Sequence, residues 1–75
     1  MKRENIIQRI ENFFADFDEP LRTECIDYAI KCFDIYREIL RKEMSDSRVI
    51  QYAIDMTIRK YEKQILKNSN KDWEI

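Results

Sequence analysis

Glu24 and Asp27 have the spacing in this sequence that most readily suggests chemistry. An E-x-x-D pair sets two carboxylates one turn apart on a helix, an arrangement that can hold Mg²⁺ for hydrolysis of a pyrophosphate bond. Such a site needs a second carboxylate pair beside it. Asp16 and Glu19 fall in or beside a turn without that spacing, and a solvated helix face accounts for Glu24 and Asp27. The other reactive residues are Cys25 and Cys32. On one helix they stand about 10.5 Å apart along its axis. A disulfide needs Cα atoms within roughly 7 Å, so the two cannot bond to each other there. They form no C-x-x-C and read as small buried apolar residues with free thiols.

The chain has no histidine, no glycine and one proline. Without histidine there is no Ser-His-Asp or Cys-His catalysis, no Cys2His2 zinc site and no Glu-x-x-His di-metal site. Without glycine there are no glycine-rich phosphate loops and few routes to a β architecture. The expectation is a protein that is not an enzyme, with no catalytic residue, metal, cofactor or small-molecule substrate.

The 75 residues carry 14 basic and 15 acidic side chains, a net charge of -1. Hydrophobic residues make up 44% and charged residues 39%, too apolar for a disordered chain and too charged for a membrane protein. Charge is unevenly spread: residues 11–34 sum to -5 and residues 35–71 to +4. Arg59, Lys60, Lys63, Lys67 and Lys71 form a basic strip, with Tyr52 and Tyr61 near it, that could lie along nucleic-acid phosphates. A net charge of -1 weighs against a dedicated nucleic-acid binder. The start, Met1 to Arg9, is charged and no apolar segment follows it, and no long apolar run occurs elsewhere. The reading is a cytoplasmic protein with no signal peptide and no membrane partner.

Three breaks divide the chain: Asp18-Glu19-Pro20, Ser45-Asp46-Ser47 and Asn68-Ser69-Asn70. Pro20 suits the first turn of a helix with an acidic cap before it, and Ser45 and Ser47 suit an N-cap. Between the breaks the apolar residues recur with a period of about 3.6. Helices are expected at 3–17, 20–44 and 47–67, in one domain over 1–70, with 71–75 a short tail holding Trp73. The fold class is all-α: an antiparallel three-helix bundle in which a long hairpin of the second and third helices carries a shorter first helix.

The apolar arc of the second helix is the widest, roughly 180° against about 120° and 140° for its neighbours. That makes it the central element. At 1.5 Å per residue, the first helix spans about 22 Å and the second about 37 Å. The far end of the hairpin should then lack cover. Tyr36, Leu40, Met44, Val49, Tyr52 and Met56 are the expected contact surface for another chain. One echo, Ile26-x-Tyr28-Ala29-Ile30 against Ile50-x-Tyr52-Ala53-Ile54, reads as chance. The functional expectation is a small interaction protein, a regulator or adaptor, that pairs with itself or with another protein. The alternative is nucleic-acid binding through the basic face of the third helix.

Overall fold

The computed structural model describes residues 1–40 and 44–73, with side chains as far as residue 67. Among the described residues four helices follow one another: α1 (Arg3–Phe13), α2 (Leu21–Leu40), α3 (Asp46–Lys60) and α4 (Glu62–Trp73). No strand occurs among the described residues, and the all-α expectation holds. None of the described helices is long and apolar enough to cross a membrane. The expected passage of the second helix through residues 41–43 lies outside the described residues, as do Glu74 and Ile75.

The helix starts follow the cap residues. The Glu19 carboxylate accepts from the Thr23 backbone N–H at 3.0 Å and from the Thr23 hydroxyl at 2.7 Å, which satisfies a donor at the start of α2. Ser45 Oγ accepts from the Arg48 N–H at 3.3 Å and caps α3.

The helix ends depart from the expected spans. α1 stops at Phe13 and not at residue 17. There the backbone tightens into turns, with the Ala15 N–H donating to Asn12 O and the Phe17 N–H to Phe14 O. Phe14 is fully buried and meets Phe13 and Phe17 edge-to-face, at ring distances of 5.0 and 5.2 Å. The expected third helix is two helices. Tyr61, at φ -104° and ψ 18°, separates α3 from α4. Hydrogen bonds cross this break: the Tyr61 N–H donates to Thr57 O at 3.0 Å and the Ile65 N–H to Tyr61 O at 2.9 Å. The apolar period therefore continues through it. One turn earlier the buried Thr57 hydroxyl donates to Ala53 O at 2.8 Å, a back-bond that bends helices. α4 runs through the expected asparagine stop to Trp73, so residues 71–73 are helical.

α2 and α3 form the antiparallel pair, and α1 packs on both. Ile6, Ile10 and Phe14 bury against Leu21, Cys25, Ala29, Cys32 and Phe33 of α2 and Val49, Ile50, Ala53, Ile54 and Thr57 of α3. Both alanines are fully buried, where the absence of bulk lets two backbones approach. The repeated I-x-Y-A-I thus places an alanine in the core from each helix. The wide apolar arc makes α2 the central element, yet it is not the more densely buried one. α3 buries as many residues as α2 from a shorter span, and part of the broad apolar arc of α2 faces water.

The first helix also reaches further than its length suggested. The Met1 amino group pairs with Asp46 at 3.1 Å, and Arg9 donates to Ser47 Oγ at 2.9 Å. Both partners stand at the turn between α2 and α3. The stretch 14–20 is a run of turns and not helix. It carries α1 toward the turn end of the hairpin. Arg37 closes that end from below, donating to Met44 O at 2.9 Å and pairing with Asp46 at 3.1 Å.

Candidate protein interface

Which flank of the hairpin stays open follows from where α1 sits. Arg3 of α1 pairs with Asp34, so Asp34 marks the covered flank of α2. At about 100° per residue, Ile35 lies about 100° and Ile39 about 140° around the axis from Asp34. Both isoleucines are exposed, Ile35 by 56% and Ile39 by 66%. Tyr36, next to them, touches Tyr52 of α3 with ring centroids 4.7 Å apart. Tyr52 is itself 42% exposed, and Met56, one turn further, is half-buried. Ile35, Ile39, Tyr52 and Met56 thus line one open flank of the α2–α3 pair.

The four tyrosines of the chain form two pairs across this seam. Tyr36 meets Tyr52 near the turn, and Tyr28 meets Tyr61 at the far end with ring centroids 5.9 Å apart. The Lys60 ammonium lies 5.2 Å from the Tyr28 ring and 5.5 Å from the Tyr61 ring, a cation–π clasp. Cys32, by hydrogen bonding and charge, raises the Tyr28 hydroxyl above its ordinary value. Burial, together with Glu24, Cys25 and Asp27, does the same for Tyr61.

The expected contact residues divide. Tyr52 is exposed, and Tyr36, Leu40, Met44 and Met56 are half-buried. Val49 is corrected: it is fully buried within this chain and belongs to its core. The reason is the reach of α1, whose contacts with Asp46 and Ser47 close the end where Val49 stands. Of the two most exposed members of the flank, Ile39 belongs to the uncovered end of the second helix that its length predicts, and Ile35 lies outside the expected set. Their signal was present, because both sit at the edge of the wide arc of α2, where a third helix in the bundle does not reach.

The basic strip is split by the break at Tyr61. Arg59 and Lys60 end α3, while Lys63 and Lys67 belong to α4. Arg59, Lys63 and Lys67 are exposed, and Lys60 is held over two tyrosine rings. Lys67 also lines a shallow groove of about 280 Å³ with Pro20, Leu21, Glu24 and Gln64. So Glu24 faces α4. Among the described residues no group of three or more His, Cys, Asp or Glu could hold a metal ion. Cys25 and Cys32 are free and buried, and burial, with Glu24 adding, pushes the Cys25 thiol up to about 11.

Compared with known proteins, the chain matches no family model, no curated protein and no solved structure.

Proposed function

We propose that this protein acts without catalysis, as a small helical regulator or adaptor of the cytoplasm that docks to protein through the open flank of α2 and α3. The observation that carries this reading is the exposure of Ile35, Ile39 and Tyr52 side by side on one flank. Large apolar side chains grouped on a small domain favour an interface. Half-buried Tyr36 and Met56 extend it with an aromatic and a thioether that adapt to a partner. Burial of roughly 500 Å² of apolar surface would offer about 12 kcal/mol gross. The lost freedom of association costs about 4–15 kcal/mol, so the balance rests on how well the partner fits. The simplest partner is a second copy, which makes the protein a homodimer.

Mass in solution by light scattering tests this reading, with a pull-down in parallel. The wild type should exceed the 9.3 kDa of one chain or retain a protein partner, and Ile39→Glu should lose that interaction with helicity intact. A wild type that stays at 9.3 kDa and retains nothing overturns the reading. Nucleic-acid binding is the alternative, supported by the exposure of Arg59, Lys63 and Lys67. Its mark would be retention on DNA that falls steeply with salt.

A further inference from the structure

The two tyrosine contacts fix which residues of α2 and α3 stand at the same height. Tyr36 is level with Tyr52, and Tyr28 with Tyr61. The groove where Glu24 meets Gln64 continues the same register. On this scale Lys31 stands within about one turn of the height of Asp55, and Glu38 within about one turn of Arg48.

These four charges border the open flank. Lys31 and Glu38 lie seven residues, two turns, apart on the side of Ile35 and Ile39 away from α3. Arg48 and Asp55, also two turns apart, lie on the side of Tyr52 and Met56 away from α2. All four are exposed. Asp55 accepts a bond from Gln51 at 3.2 Å, and Glu38 is already engaged within its own chain. The flank therefore carries plus then minus along α2, and plus then minus along α3, on helices that run in opposite directions.

We infer that the occupant of the open flank is a second copy of this chain, related by a two-fold axis parallel to α2 and α3. This inference rests on the docking reading above. A rotation about that axis keeps every residue at its own height. It lays α2 of each copy antiparallel to α3 of the other. Ile35 and Ile39 then meet Tyr52 and Met56 of the second copy, apolar on apolar. Lys31 comes beside Asp55 of the second copy, and Glu38 beside its Arg48. Each match occurs twice, because the interface is isologous. The result is a four-helix core with antiparallel neighbours throughout, and each α1 remains on an outer face. An axis that crosses the helices instead sets α2 on α2. Level with Ile35, such an axis would place Lys31 beside Glu38 of the second copy, an arrangement in which the double variant Lys31→Glu/Asp55→Lys would weaken association further and not restore it.

Charge exchange tests the arrangement, with self-association measured by analytical ultracentrifugation. Lys31→Glu alone and Asp55→Lys alone each place like charges across the seam twice. Each should weaken association about ten-fold, by repulsion that added salt reduces. The double variant Lys31→Glu/Asp55→Lys should restore association, with circular dichroism unchanged throughout because both positions are exposed. If Ile39→Glu dissociates the dimer while all three charge variants associate like the wild type, the two-fold arrangement is overturned and the docking flank stands. A wild type that is monomeric at every concentration overturns the second copy as occupant, and the pull-down then decides the docking reading. If the wild type associates and Ile39→Glu changes nothing, the flank itself is the wrong surface and both fall.

Discussion

The Arg3 guanidinium grips the Asp34 carboxylate with two hydrogen bonds, at 2.7 and 3.0 Å, across 31 residues of chain. This fork holds the start of α1 against the middle of α2. Together with Met1–Asp46 and Arg9–Ser47 it places α1 over the turn end of the hairpin.

The fork makes the docking of α1 sensitive to acid. Hydrogen bonding from Arg3 holds the Asp34 carboxyl below the usual aspartate range. Its stabilisation is present above the ordinary aspartate value of about 3.9 and is lost as pH falls through the lower folded value. Both side chains are about half exposed, so the effect is small and salt-screened. Wild type should melt slightly above Asp34→Asn at neutral pH and low salt. The gap should close both in acid and in high salt. A gap that persists in acid would show that the fork is not its source.

Core and flank should respond oppositely to the same truncation. Ile10 is fully buried, and Ile10→Ala should cost about 2–5 kcal/mol in urea unfolding through the cavity it leaves. Ile39→Ala removes a side chain that is mostly in water, and should change the stability of one chain by less than about 0.5 kcal/mol. Its effect should appear in association. Equal losses in a monomeric state would mean that Ile39 packs within its own chain.

Much of the fold was legible because periodicity and caps act locally. Pro20 and Ser45 marked two helix starts within a residue, and the apolar period gave an all-helical chain. Two things were not legible. The break at Tyr61 has no glycine or proline to announce it, and hydrogen bonding runs through it. The reach of α1 depends on where the stretch 14–20 leads the chain, which is a tertiary matter. That reach moved Val49 into the core. It also shifted the open surface from the tip of the hairpin to its flank, from Val49 to Ile35 and Ile39.

The cap on α2 should also be visible in isolation. Glu19 is held below the usual glutamate range, first by its bonds from Thr23 and then by Arg22. Glu19→Ala should speed hydrogen exchange at the Thr23 amide and leave exchange in α3 unchanged. In wild type the same amide should lose protection as pH falls through the depressed glutamate value, after correction for intrinsic exchange.

Among the described residues Thr57 is the one buried polar side chain. Thr57→Val keeps its shape and removes the bond to Ala53 O. The cost should be about 1 kcal/mol by thermal unfolding, because only the hydroxyl bond is lost. A loss beyond about 3 kcal/mol would mean that the bend near Tyr61 depends on that hydroxyl.

The two buried thiols turn the interior into a recorder of its own opening. Cys25 and Cys32 are sealed in the folded chain, and the Cys25 thiol, pushed up to about 11, is almost wholly protonated at neutral pH. A thiol reagent therefore waits for the helices to part, and its rate counts those events. Oxidants face the same gate. The two sulfurs cannot bridge within α2, so a disulfide formed under air, within one chain or between two, must wait until the helices open. A covalent dimer on a non-reducing gel would then trace encounters between unfolded molecules. It would say nothing about pairing through the flank of Ile35 and Ile39, because the thiols react only once the folded helices have parted.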